Sequence, residues 1–373
     1  MEKCDVLVVG GGPAGSSLAW GLKDSGLDVL VMDKQTFPRN KVCAGWITPA
    51  VVESLRIDLA AYGRSRTLQP IHGIRAGMLG AGTVEIQYRG DPISYGIRRC
   101  EFDHYLLERS GARLRLGESF REMAFRDNGW IVNGGIRASV VIGAGGHFCP
   151  VAGIAGAKLG RGEVVVAAKE SEFRSPGATG EVTNGTVPEL YFCSDLKGYG
   201  WVFRKGDYFN IGLGREDNYR LSEHIDEFCM FLRDRHRMPP IPPEKFCGHA
   251  YLLYHHARRP LSRQGVLLIG DSAGLAYAQS GEGIRPAVES GLLAAKVIRE
   301  ANGDYSAARL RRYDELIRSQ FGGRKTDAIM RQRPPSRLRQ SAARWLLSTE
   351  WFTRNIVINR WFLHTHQPKL ALH

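Results

Sequence analysis

Several absences narrow the field before any motif is read. The 373-residue chain has no apolar run near the roughly 18 residues that a membrane-spanning helix needs. It has no internal repeat and no C-x-x-C pair. Its seven cysteines, at 4, 43, 100, 149, 193, 229 and 247, are scattered and odd in number, which points to reduced thiols and away from a zinc site. His255-His256 and the pair His364 and His366 lack a third ligand, so no metal is expected. No nucleic-acid motif accompanies the net charge of +13, and no nucleic-acid partner is expected. The first strand begins almost at Met1, which leaves no room for a signal peptide and makes a cytoplasmic location the expectation.

What is present is ordinary in bulk and specific in detail. Hydrophobic residues at 43% and charged ones at 24% fit a globular protein of two domains, or one with an insertion. Cys4 to Val9 is an apolar, β-branched run that reads as a buried parallel strand. It passes into Gly10-Gly11-Gly12-Pro13-Ala14-Gly15, a G-x-G-x-x-G motif, and then into a helix. Gly10 suits the tight turn, Gly12 the approach of a pyrophosphate, and Gly15 close packing of helix on strand. The helix N-terminus then faces the phosphates. A second strand, Asp28 to Met32, ends at Asp33, 21 residues past Gly12, where an acid can accept from a ribose hydroxyl. This pattern marks a dinucleotide site and leaves FAD and NAD both open.

Farther along, a polar loop from Lys34 leads to Lys41-Val42-Cys43-Ala44-Gly45, small residues around one cysteine, with a helical pattern from Ala50. Residues 66 to 97 alternate weakly around turn glycines and predict antiparallel strands. Arg99 opens a helix with Phe102, Leu106 and Leu107 on one face, and Ala138 to Ile142 is a strand ending in Gly143-Ala144-Gly145-Gly146. From about Val164 to Tyr254 short alternating strands follow, with an aromatic hairpin at Tyr199-Gly200-Trp201-Val202-Phe203 and a helix from Glu223 to Arg237. A buried strand then ends at Gly270-Asp271, and Gly281-Glu282-Gly283-Ile284 precedes a helix from Val288 to Glu300. The last 73 residues carry 14 Lys and Arg against 5 Asp and Glu, an excess of nine positive charges. They read as helical, broken at Pro334-Pro335, with Trp345, Trp351 and Trp361 along them.

The strand end at Gly270-Asp271 and the helix start at Gly281, Gly283 and Ile284 favour a flavin. An acid is ill placed against a pyrophosphate, whereas it can accept from ribityl hydroxyls. The N–H groups near Gly283 and Ile284 can offset negative charge on a reduced ring. The three-part pattern resembles the FAD-dependent para-hydroxybenzoate hydroxylase-like superfamily, and within it the geranylgeranyl reductase family. The resemblance runs over most of residues 1 to 300. It rests on Gly10 to Gly15 with Asp33, Lys41 to Gly45, Arg99 with Phe102-Asp103 and Leu106, Gly270 to Gly274, and Gly281 to Ile284.

That resemblance implies an α/β fold: a Rossmann-like FAD-binding domain (1–65, 96–155 and 260–300), an inserted antiparallel-sheet substrate domain (66–95 and 156–259) and a basic helical C-terminal segment (301–373). It implies that Gly10, Gly12, Pro13, Ala14, Gly15, Asp33 and Lys34 hold the adenosine and pyrophosphate of FAD, with Arg99 approaching the same part. Gly145, Gly270 and Asp271 would follow the chain to the ring, and Cys43, Ala44 and Gly45 would lie beside it with Gly281, Gly283 and Ile284. Tyr199 and Trp201 would line the substrate cavity, with Cys43 a candidate proton donor.

The implied reaction is hydride transfer from flavin N5 to a C=C bond of an isoprenoid-like substrate. A flavin monooxygenase and a flavin-binding protein without turnover are the alternatives. The sequence departs from the wider pattern at Gly145, where an Asp is expected, at Cys149 and Ala152, and at Arg204, which stands for a proline. The first departure leaves the electron donor open between NAD(P)H and a reduced carrier such as ferredoxin. The basic tail is read as docking on the body, closing the pocket or touching a membrane peripherally.

Overall fold

The computed structural model describes residues 1–157, 165–175, 187–217, 219–238, 245–324 and 337–371. The β-branched run after Cys4 forms the strand Glu2–Val9, whose Val6, Leu7 and Val8 are fully buried. Such a run can be buried on both faces only at the centre of a covered sheet. It lies parallel between Ile136–Gly143 and Val29–Asp33. The main strand order of this eight-stranded sheet runs from Ser262–Arg263 through Val266–Leu268, Ile136–Gly143, Glu2–Val9 and Val29–Asp33 to Arg113–Leu116, with Gly129–Val132 and Met123–Arg126 branching from Ile136–Gly143.

Register is what builds the site. Val9 stands opposite both Met32 and Gly143, and Gly143 opposite Leu268. The carboxyl ends of four parallel strands therefore come level, and Gly10, Asp33, Gly145 and Asp271 emerge along one crevice.

Two helices cover that crevice's floor. Pro13–Leu22 and Ile284–Ala301 cross so closely that a Cβ on Gly291 would sit 2.4 Å from Ala14 O. The second helix begins four residues before the expected Val288, because Pro286 falls in its first turn, where a missing N–H costs nothing.

A seven-stranded sheet stands over the crevice, in the order Cys247–Leu252, Val165–Arg174, Tyr208–Arg215, Gly198–Lys205, Glu189–Phe192, Gly73–Met78, Thr83–Gln87. It departs from the expected antiparallel sheet at one seam, since Glu189–Phe192 and Gly73–Met78 run parallel. Those strands lie more than a hundred residues apart, so the intervening chain makes the long crossover that parallel pairing requires. The stretch 66–97 is shared: Leu68–Ile71 and Ser94–Ile97 join Trp46–Ile47 in a separate three-stranded antiparallel sheet. The helix expected over 223–237 spans Leu221–Asp234 and packs on the far face of the seven-stranded sheet.

The tail folds back onto the body. After Arg337–Leu347 the chain coils as a π-helix from Thr353 to Phe362, burying Val357, Ile358 and Phe362 beside Trp201 and Phe203. Pro334-Pro335 lies outside the described residues. Among the described residues, no helix is long and apolar enough to cross a membrane.

Candidate functional site

One cavity of about 500 Å³ runs from the glycine turn to the aromatic hairpin. At its first end the three motif glycines have three different geometries. Gly10 has φ +117°, and a Cβ there would sit 2.4 Å from Ala144 O. A Cβ on Gly15 would lie 2.0 Å from Gly10 O and 2.9 Å from a Val8 methyl carbon. Gly12 faces open space, with only Arg39 Nη2 near its would-be Cβ, at 3.3 Å. The helix N-terminus at Gly12 has no side-chain cap, so its N–H groups are left for a ligand. Asp33 accepts from the Gly11 N–H at 2.8 Å and from the Gln35 N–H at 2.9 Å, which fixes its carboxylate at the strand end. Pro13, Ala14 and Lys34 line the cavity here as well.

The middle is electrostatically crowded. Arg99 forms a two-pronged ion pair with Asp103, at 2.7 and 2.8 Å, and Arg39 joins the same carboxylate at 3.3 Å. Burial opposes the Arg99 charge, but Asp103 outweighs it, so the guanidinium is held more firmly charged than usual. Lys41 Nζ lies 2.9 Å from His249 Nε2, which is 3.7 Å from Asp271 Oδ2. Burial, with help from the neighbouring Arg99, lowers the Lys41 pKa to about 8. Burial also depresses His249. Burial would raise Asp271, yet His249, Lys41 and Arg99 together hold its carboxyl below the usual range. Gly145 borders the cavity opposite, backed by the buried Cys149 thiol 3.3 Å from its would-be Cβ.

The other end is apolar. Leu190, Tyr199, Trp201 and Phe203 descend from the seven-stranded sheet, Trp46 rises from the three-stranded sheet just after Gly45, and Phe362 arrives from the tail. Phe362 stacks on Trp46 at 5.9 Å and meets Tyr199 edge-on at 5.3 Å. Trp201 donates its indole N–H to Asn210 Oδ1 at 2.7 Å, and the Tyr199 hydroxyl donates to Ser280 O. Cys43 and Ala44 sit where the two ends meet, as do Gly281, Gly283 and Ile284. Glu282, between those glycines, accepts the Arg285 N–H at 2.6 Å through Oε1, while its buried Oε2 has no partner; burial lifts its pKa to about 7.

Of the residues singled out by sequence, Gly15, Gly45 and Gly270 stand behind the lining and the others border it. A Cβ on Gly45, at φ +69°, would lie 2.1 Å from Ile97 O, so this glycine presses the Cys43 loop against its neighbour strand.

The chain is similar to several known proteins. A family model described as FAD dependent oxidoreductase matches residues 5–98. The menaquinone reductase of Mycobacterium tuberculosis is 30% identical over 322 residues, which is 80% of this chain and 77% of that protein. The digeranylgeranylglycerophospholipid reductase of Thermoplasma acidophilum is 27% identical over 86% of this chain and 85% of its own length. The chain belongs to the geranylgeranyl reductase family. A geranylgeranyl bacteriochlorophyll reductase-like protein of the same organism shares the fold, with a TM-score of 0.75 at 24% identity, over 96% of this chain and 91% of that one. The flavin-dependent halogenase CmlS also shares it, with a TM-score of 0.66 at 19% identity over 86% of this chain and 63% of that one.

As a member of this family the protein is an FAD-dependent oxidoreductase. The residues present fit FAD: an uncapped helix N-terminus opens at Gly12, an anchored acid ends the second strand, and cations cluster midway.

Sequence reasoning left several lining residues unassigned. Arg39 and Lys41 carry a signal, two cations beside a small-residue loop. His249, Tyr251 and Phe362 carry none, since each reaches the cavity only through long-range packing.

Proposed function

We propose that this reductase saturates C=C bonds in the isoprenoid chain of an apolar lipid. The observation that carries the reading is the aromatic chamber continuous with the FAD crevice, built by Tyr199, Trp201, Phe203 and Phe362. Such a chamber suits a flexible apolar chain, and two relatives are named for lipids. In this reading Gly10, Gly12, Pro13, Ala14 and Gly15 grip the pyrophosphate of FAD, Asp33 and Lys34 the adenosine side, and Arg99 the phosphates. Asp271, behind Gly270, accepts from the ribityl chain. Ala44, Gly45, Gly145, Gly281, Gly283 and Ile284 frame the ring. FAD supplies the hydride equivalent when reduced. Tyr199 and Trp201 hold the chain in place, and the half-buried Cys43 thiol gives the proton to the second carbon.

Electrons come from NAD(P)H or from a reduced carrier such as ferredoxin. The net positive charge favours an acidic carrier. Trp345 and Trp351, each 67% exposed on the tail whose inner side supplies Phe362, are proposed to touch the membrane that holds the lipid.

The test is anaerobic photoreduction of the flavin followed by mixing with prenyl lipids of several lengths. Rapid reoxidation with loss of a C=C bond is expected. A flavin that no alkene reoxidises, or a hydroperoxide formed with oxygen on adding an aromatic compound, would overturn the reading.

A further inference from the structure

Beneath the chamber lies a buried polar network that the reaction just described does not use. Asn210, fully buried on Tyr208–Arg215, receives the Trp201 indole N–H on Oδ1 at 2.7 Å. Its Nδ2 donates to Glu170 Oε2 at 3.1 Å and reaches Cys43 O at 3.4 Å. An indole can only donate and a carbonyl only accept, so the amide has one orientation that satisfies both. Glu170 is buried on Val165–Arg174; burial pushes its carboxyl up, and Lys205, the Cys43 backbone N–H and Asn210 hold it back. The next two loop residues are held by other contacts: Lys205 Nζ, fully buried and paired with Glu172, donates to Ala44 O at 3.0 Å, and Gly45 O accepts from the Ile97 N–H at 2.7 Å.

The Cys43 C=O is thus held by the overlying sheet, and its N–H favours the charged form of Glu170 there, although Cys43 belongs to the loop that follows the second strand of the other sheet. The thiol itself accepts from the Gly45 N–H at 3.4 Å, so its direction follows the loop. We propose that Asn210 is a positioning residue that ties the chamber wall at Trp201 to the Cys43 loop, with Glu170 as the second arm of the tie. This inference rests on the reading that Trp201 and Cys43 border the reacting site. It adds a reason for burying a carboxylate and an amide under an apolar wall: the wall and the thiol then move as one unit. A purely apolar underside would leave the Cys43 C=O without that partner.

The test alkylates the FAD-loaded protein with iodoacetamide and follows each cysteine peptide by mass spectrometry. N210D keeps an oxygen for the indole but turns a second oxygen toward Cys43 O and Glu170, breaking the tie to the loop. W201F removes the indole arm and leaves Asn210 in place. Cys43 is expected to react about fivefold faster in N210D and about twofold faster in W201F, in line with one lost hydrogen bond. Cys193 and Cys229, buried against the opposite face of the same sheet, should keep their rates. An equal rise at all three cysteines means general loosening and overturns the proposal, as does an unchanged Cys43. Should N210D fail to fold or hold FAD, W201F decides by the same two criteria.

No substrate enters this measurement. A protein that reduces no prenyl lipid yet shows acceleration at Cys43 alone loses the proposed function and keeps the positioning role. Once a reducible lipid is known, N210D should lower kcat with little change in KM, whereas W201F should chiefly raise KM.

Discussion

The two ends of the cavity are built on opposite principles. At the nucleotide end the constraint falls on the backbone: at Gly10 and Gly15 a turn and a helix contact leave no room for a side chain, and at Gly12 a bare backbone keeps the approach open. At the aromatic end the constraint falls on side chains, drawn from three stretches far apart in the chain: Trp46, Leu190 to Phe203, and Phe362. A backbone constraint admits one residue type, so it leaves a spaced motif. A packing constraint admits any side chain of the right volume, so it leaves only a general aromatic richness. The first end therefore tolerates almost nothing, and the second should tolerate reshaping.

The harshest trial of that contrast is Gly15→Ala. A methyl 2.0 Å from Gly10 O forces the helix off the strand, and the expected cost is on the order of 3 kcal/mol or more. Flavin should no longer copurify, read as the ratio of flavin to protein absorbance. Gly12→Ala, which meets only Arg39 Nη2 at 3.3 Å, should fold and hold FAD more weakly. Equal behaviour of the two variants would erase the distinction between a packing glycine and an approach glycine.

Phe362→Ala probes the other end. Truncating a buried phenylalanine costs about 3 kcal/mol, and less where the ring borders a cavity. Flavin content should stay near stoichiometric while kcat/KM for a prenyl lipid falls about tenfold or more, with the loss shrinking for bulkier chains. Loss of flavin would mean that the tail supports the nucleotide end too.

This contrast also explains how much was legible in advance. The parallel sheet, the crevice and the FAD follow from Gly10 to Gly15, Asp33, Asp271 and Gly283, because each answers a local demand. The parallel seam between Glu189–Phe192 and Gly73–Met78 left no trace, since strand alternation is the same for either direction. The helix start at Ile284 was obscured by Pro286, which forbids a helix interior but not a first turn. The placement of Phe362 depends on a tail folding back over more than a hundred residues of intervening structure, and no spacing rule encodes that.

Lys41 sits between the two ends and offers a pH test. Burial brings its folded pKa down to about 8, from 10.5, so the unfolded chain binds more protons between those values. The apo protein therefore gains stability as pH rises from about 8 toward 10, when the unfolded lysine also becomes neutral. FAD binding should run the other way. The charged lysine favours an anionic ligand, so the dissociation constant should rise several-fold, up to about tenfold, between about pH 7 and pH 9. Flavin fluorescence quenching reads this directly, and K41M should flatten the curve. A parent protein with no pH dependence would place Lys41 outside the grip on the phosphates.

The smallest effect on folding belongs to the tail's outer side. Trp345 and Trp351 are each 67% exposed, so W345A and W351A should shift stability by no more than about 0.5 kcal/mol. Their inner neighbours Val357 and Ile358 are fully buried, so the tail has one face committed to the body and another that is not. If the outer face meets a membrane, flotation with anionic vesicles should fall several-fold in the double variant while melting temperature and flavin content hold. Loss of flotation only at high salt, with no effect of the tryptophans, would assign the contact to the arginines instead. In either case the residues that stabilise the tail would not be those that carry its contact. That is the contrast between the cavity's two ends again: what holds a segment in place and what it presents are read from different sides.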